Sequence, residues 1–288
     1  MSATLLMGKP IADKITEEIK KDILEIKDKY NIVPTLASVL VGDDPASKSY
    51  SGRQMKSALA VGINYQLHEL PSDTSQDKLL SFIDELNRDD KVNGIIVQMP
   101  LPKNIDEHLV QNAISVKKDV EGITPANLGL IVYERPRLCP CTALSAVKII
   151  ESTGVDVYGK DLTVVGRSAI VGKPVALLML QRKYSSTVTV CHTGTAKVGN
   201  LEKHVSNADI LIAAAGSPEL IKGEWIKEGA IVIDVGFNWV DGKTVGDVEF
   251  EKAKERASYI TPVPGGVGPL TVAILLQNTI SATKWQFE

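Results

Sequence analysis

Nothing in this sequence is extreme, and each scarcity narrows what the chain can be. Only three of 288 residues are cysteine (Cys139, Cys141 and Cys191), an odd count that supplies no disulfide framework and fits a reducing compartment. Cys139 and Cys141 flank a single proline with no second cysteine pair to complete a zinc set. Cys191 and His192 are adjacent and would point to opposite faces of a strand, so no metal site is expected. Aromatic residues make up 5% and the net charge is −3, which leaves neither a stacking set nor a basic surface for nucleic acid. No apolar run reaches the roughly 18 residues of a membrane span. The opening MSATLLMGKP lacks the basic-then-apolar pattern of a secretory signal. A cytoplasmic protein with no membrane or nucleic-acid partner is the expectation.

What is present reads as alternating helices and strands. Ile11, Ile15, Ile19, Ile23 and Ile26 put one apolar face on a helix over 10–29, with Pro10 in its first turn. TLASVLV (35–41) and GIIVQ (94–98) are short apolar strands, 64–70 is a possible third, and helices are expected over 46–61 and 76–88. The stretch 117–145 is rich in Pro and Gly and poor in periodicity, which suits a domain junction and loops lining a cleft. Strands then recur at 161–165, 187–191, 209–214 and 230–235, with helices starting near Gly172, Leu201 and Phe250. This is the order of a doubly wound nucleotide-binding sheet. A final helix over 270–283 is expected to pack back on the first domain. The fold class is therefore α/β in two domains: 1–140 plus 270–288, and a Rossmann-type domain over 141–269.

Five segments carry residues suited to chemistry. Val165-Gly166-Arg167-Ser168-Ala169-Ile170-Val171-Gly172-Lys173-Pro174 follows a strand and opens a helix, where glycine admits a pyrophosphate and the helix N-terminus supplies N–H donors. Its spacing is not the usual GxGxxG, and a bare strand-to-helix turn would read the same. No acid ends the next strand, where Cys191-His192-Thr193 stands instead. Arg167 with Thr193 would suit a 2′-phosphate, favouring NADP over NAD. The other four are GDDPASKSY (42–50), VQMPLP (97–102), KKDVEG (117–122) and TPVPGGVGP (261–269), each of which alone could be structural.

Taken in order, GDDPAS..Y, VQ.PLP, KDV(E)G, PCT, VGRS..VGKP, IDVG, GDV and TPVPGGVGP.T resemble the methylene-tetrahydrofolate dehydrogenase/methenyl-tetrahydrofolate cyclohydrolase family over nearly the whole chain. The resemblance implies a folate-binding catalytic domain, an NAD(P) domain and a homodimer. It implies that Tyr50 lies over the pterin, that Gln98 binds near the reacting carbon and that Glu121 hydrogen-bonds the pterin. Pro262, Gly265 and Gly266 would shape the folate and nicotinamide pocket. Arg167, Ser168, Ile170 and Val171 would lie against the cofactor, beside Gly166, Gly172 and Thr193 of the strand-to-helix and 2′-phosphate reading above.

The chain departs from the family pattern at two implied catalytic positions. The motif Y-x-x-x-K-x-K is here Tyr50-Ser51-Gly52-Arg53-Gln54-Met55-Lys56, with Gln54 at the catalytic lysine position. Residues two apart on a helix do not share a face, so Lys56 is no substitute without a register shift. Arg53 lies nearer Tyr50, but arginine does not give up its proton near neutral pH. Glu121 stands where the family has Asp. The PCTPxG segment is altered to Pro140-Cys141-Thr142-Ala143-Leu144-Ser145, and the chain between Thr195 and Leu201 is a few residues longer than the family's. Hydride transfer from 5,10-methylene-tetrahydrofolate is mainly a positioning task. Opening the methenyl ring with water needs proton transfers that an amide cannot supply. The expectation is a dehydrogenase with weak or absent cyclohydrolase. The alternatives are a fully bifunctional enzyme, or a Lys-to-Gln form of one, and a non-catalytic folate-binding paralogue. A two-domain oxidoreductase acting on a small acid is a further rival, opposed by the intact PVPGGVGP and VQ.PLP segments.

Overall fold

The computed structural model describes residues 2–288. In chain order the strands are β1 (Thr4–Leu5), β2 (Thr35–Val41), β3 (Asn64–Leu70), β4 (Gly94–Val97), β5 (Asp161–Val165) and β6 (Thr187–Cys191). They continue with β7 (Ile210–Ala213), β8 (Ile231–Asp234), β9 (Asn238–Val240), β10 (Lys243–Val245) and β11 (Tyr259–Ile260). The chain forms two compact units, residues 14–139 with 272–288 and residues 1–13 with 140–271.

The first unit is built on a parallel sheet in the order β3-β2-β4. All seven residues of central β2 are buried, as expected when helices cover both faces. GDDPAS is a helix start. Gly42 has φ +86, Asp44 caps the helix Pro45–Val61 by accepting from Ser47 N (2.8 Å), and Pro45 occupies the first turn, where no N–H is needed. Ser47 Oγ donates to Met99 O (2.8 Å), tying this helix start to the turn after β4. A further segment joins the sheet at Asp119, which bridges Ile95. Gly94 allows that approach, because a Cβ there would meet Val120 Cγ1 at 2.4 Å. The stretch 117–145 is less irregular than its composition indicates. It holds the helix Pro125–Val132, capped by Thr124, and the start of Cys141–Ser152. From the last helix, Val267–Gln286, Asn278 Nδ2 donates to Val120 O (2.8 Å) and Cys139 O (2.9 Å).

The second unit is an all-parallel six-stranded sheet in the order β1-β11-β8-β7-β5-β6. Strands β5 to β8 fall where the apolar runs place them. The sequence reading assigned residues 1–13 to the first domain, whereas β1 pairs with β11 at the edge of this sheet. A two-residue strand has no periodicity to read. The chain runs from β5 outward to β6 on one side and to β7 and β8 on the other, so the topological switch point lies between β5 and β7. Ligands of open α/β sheets bind beyond the carboxyl ends of the strands at such a point.

Candidate active site

In the first unit, a chain of polar side chains crosses an otherwise apolar interior at the carboxyl end of β4. Gln98, just past β4, is 3% exposed and Gln54, on the helix after β2, is 0% exposed. Gln98 Nε2 donates to Ser38 Oγ (2.9 Å) and to Gln54 Oε1 (2.8 Å), and the Tyr65 hydroxyl donates to the same Gln54 oxygen (3.0 Å). Burial pushes the Tyr65 hydroxyl up to about 12, so it stays a donor. Gln54 is thus pinned by its oxygen, while its buried Nε2 has no hydrogen-bond partner. An unpaired buried amide is costly, and such groups call for a reason. Lys56 is exposed, in keeping with its place on another helix face. Tyr50 is half-buried, with the Arg53 guanidinium 5.7 Å from its ring centre.

The KKDVEG segment divides into scaffold and candidate. Lys118 is buried and donates to Leu86 O (3.0 Å) and Asp89 O (2.8 Å), closing the C-terminus of the helix Gln76–Arg88. Asp119 Oδ2 accepts from Thr124 N and Asn127 Nδ2, both at 2.8 Å, and so holds the next helix start. Glu121 lies in the turn that follows, where Gly122 takes φ +67. It keeps part of its surface open, yet burial of its carboxyl, helped by the Asp119 charge, raises its pKa to about 8.

In the second unit, the segment 166–172 turns tightly from β5 into the helix Gly172–Leu180. Gly166 has φ +136, and a Cβ on it would meet Ala214 O at 2.1 Å. A Cβ on Gly172 would meet Gly166 O at 2.2 Å. Only glycine lets these backbones approach, the cradle a dinucleotide phosphate requires, so the residues fit the group. Ser168 Oγ accepts from Val171 N (3.1 Å) and shapes the turn. Arg167, Ser168 and Ile170 are exposed, and Val171 is half-buried. Thr193 is exposed at the start of the short helix Thr193–Lys197, whose cap is His192, with Nδ1 accepting from Gly194 N (3.0 Å). Gly265 and Gly266 lie where Gly8 N donates to Gly265 O (3.0 Å). Gly266 N donates to Pro262 O (2.8 Å), closing the loop before the last helix.

Several residues escaped the sequence reading. Ser38 and Tyr65 complete the glutamine cluster, and the only hint was a serine inside TLASVLV. The loop after β7, residues 214–218, forms the other wall of the switch point and rests on the fully buried Asp247. Its signal was the pair of motifs IDVG and GDV. His68, on β3, is half-buried and edge-on to Phe82 with ring centres 5.1 Å apart.

Two family models match the chain. One is the tetrahydrofolate dehydrogenase/cyclohydrolase catalytic domain over residues 6–121, and the other is the NAD(P)-binding domain of the same family over residues 140–287. The bifunctional protein FolD of Moorella thermoacetica is 50% identical, covering 99% of this chain and 100% of its own length. The crystal structure of the bifunctional methylenetetrahydrofolate dehydrogenase/cyclohydrolase FolD of Campylobacter jejuni is 42% identical with a TM-score of 0.93, over 99% of this chain and 100% of that one. The Trypanosoma brucei FolD, solved with NADP cofactor and an inhibitor, is 36% identical with a TM-score of 0.93, over 100% and 99%. The NAD-dependent 5,10-methylenetetrahydrofolate dehydrogenase of Saccharomyces cerevisiae is 28% identical with a TM-score of 0.78, over 99% and 98%.

Proposed function

The chain belongs to the tetrahydrofolate dehydrogenase/cyclohydrolase family, and we propose that it carries both activities: oxidation of 5,10-methylene-tetrahydrofolate with NAD(P), then hydrolysis of the methenyl product to 10-formyl-tetrahydrofolate. The observation that carries this reading is near-complete coverage by, and of, relatives named as bifunctional. Nothing in the comparisons supports the expected loss of the hydrolase, and the fully bifunctional alternative fits them better.

The bound NAD(P) would supply the hydride acceptor. Tyr50, Gln54, Gln98 and Glu121 are the residues we assign to folate. Gly166, Arg167, Ser168, Ile170, Val171, Gly172 and Thr193 are assigned to the dinucleotide, with NADP preferred through Arg167 and Thr193. Pro262, Gly265 and Gly266 are assigned to the substrate side. Tyr50, Gln54, Gln98 and Glu121 belong to the first unit, and the dinucleotide residues, with Pro262, Gly265 and Gly266, belong to the second. A homodimer in the cytoplasm completes the proposal.

Hydride transfer asks these residues for alignment and needs no protein acid or base. The hydrolysis does need one. Gln54 cannot titrate, but its pinned amide can donate from Nε2 to an oxygen or nitrogen of the reacting folate or to the attacking water. Glu121, whose pKa burial raises to about 8, is the group we assign to take the proton from that water, in its ionised form as pH rises toward 8. The second reading, a dehydrogenase that releases methenyl-tetrahydrofolate, is favoured by Gln54 alone. Following the reduced cofactor together with the decay of added methenyl-tetrahydrofolate tests both. Decay faster than in buffer supports two activities. Cofactor reduction with decay at the buffer rate supports the second reading.

A further inference from the structure

The loop after β7 is held by an internal anion. Asp247 Oδ2 accepts from Ala215 N (2.6 Å) and Gly216 N (2.9 Å), and Oδ1 accepts from Ser217 N (2.9 Å) and Asn238 Nδ2 (2.9 Å). Three successive backbone N–H groups converging on an anion is the geometry of a phosphate-binding nest. Here the nest is already filled by a side chain that is 0% exposed. Asp247 is itself fixed by Asp234, whose Oδ1 accepts from Asp247 N (3.0 Å) and whose Oδ2 accepts from Val248 N (2.9 Å). The two flanking glycines are required by this arrangement. A Cβ on Gly236 would meet Asp247 Cγ at 2.4 Å, and one on Gly246 would meet Asp234 Oδ2 at 1.9 Å.

In a trans peptide the N–H and the preceding C=O point in opposite directions. With the N–H groups of Ala215, Gly216 and Ser217 turned to Asp247, the carbonyls of Ala214, Ala215 and Gly216 turn away from it. The Ala214 carbonyl faces Gly166, which opens the phosphate turn. Ala215 and Gly216 are exposed. The 214–216 wall of the switch point therefore presents carbonyl acceptors, its N–H groups being taken by Asp247.

We propose that Asp247 is a positioning residue for the cofactor: by consuming these N–H groups it makes the 214–216 wall a carbonyl-lined subsite that excludes phosphate and accepts hydrogen bonds from the donor groups of the nicotinamide half. The side follows from topology. The adenosine half of a dinucleotide lies toward the strand reached first from the switch point, here β6, which leaves β7 and β8 for the other half. The inference rests on the NAD(P)-binding assignment and not on the hydrolase.

The test compares full-chain wild type with Asp247→Asn by direct titration of the reduced dinucleotide, read by nicotinamide fluorescence, and of ADP, which lacks that half. Replacing the carboxylate by one carbonyl oxygen leaves the loop free to turn, and loss of one such contact corresponds to about tenfold in affinity. The expected result is a loss of about tenfold for the dinucleotide with ADP affinity unchanged. Equal losses for both ligands, or no loss for either, overturn the proposal. Asn238→Ala, on the outer hairpin, removes one donor to Asp247 and should give a smaller loss of the same selectivity. If Asp247→Asn does not fold, absence of that selective loss in Asn238→Ala overturns the proposal by itself. Wild type that binds neither ligand overturns the NAD(P) assignment as well.

Discussion

The two units each bury a polar network near the carboxyl edge of a parallel sheet, and the networks are finished differently. Around Asp234 and Asp247 every oxygen is met, the donors being backbone N–H groups and one Asn side chain. Around Gln54 and Gln98 one end is left open, the Gln54 Nε2. A network that closes on itself is scaffold, since nothing remains for a ligand to satisfy. A network that ends in a buried, unpaired donor is set up for a partner that arrives later. On the assignment proposed above, the difference separates residues that hold loops in place from residues set to meet the substrate.

Mutations can break this comparison, and the largest effect should come from the closed network. Asp247→Ala strands three backbone N–H groups, at about 1 kcal/mol or more each, so a loss of about 3 kcal/mol or more is expected in urea unfolding. Gln54→Ala should cost less stability, about 1–3 kcal/mol for the stranded Tyr65 and Gln98 donors, and should raise the folate KM about tenfold. Were Asp247→Ala to cost less stability than Gln54→Ala, the assignment of scaffold and site would be reversed.

The carboxyls that burial raises give a pH signature. Glu121 and Asp234 have folded pKa values of about 8 and about 7, above their ordinary 4.5 and 3.8. Between the ordinary and the raised values the folded protein binds more protons than the unfolded chain, so stability is fullest on the acid side and falls as pH rises through the window. Glu121→Gln should flatten that fall at its upper end. It should also remove the rise in hydrolysis rate toward pH 8 that a proton-accepting Glu121 produces. The smallest effect belongs to Lys56→Ala, expected within about 0.5 kcal/mol of wild type with both activities unchanged. A marked loss of hydrolysis would mean that the surviving motif lysine reaches the site.

Much of this was legible beforehand, for physical reasons. β2 and β4 are apolar apart from Thr35 and Ser38 because both faces of a parallel strand are buried, and Asp44-Pro45 is a local capping signal that needs no tertiary context. The helix Pro125–Val132 carried the same kind of signal in Thr124-Pro125, but glycine and short length masked it. The pairing of β1 with β11 joins residues far apart in sequence through two positions each, which no local pattern encodes. Gln54 and Gln98 could be named as site residues through the family motif alone. Their partners Ser38 and Tyr65, and the carboxylate under the 214–217 loop, depend on contacts that only the fold creates.

The most direct test is the decay of methenyl-tetrahydrofolate at about pH 8, where Glu121 is substantially ionised, with wild-type protein, compared with buffer and with Glu121→Gln. Two activities predict decay well above the buffer rate in wild type and near it in the variant. Decay at the buffer rate in wild type, while 5,10-methylene-tetrahydrofolate is still oxidised, would contradict the account and leave a dehydrogenase whose hydrolase half ended with Gln54.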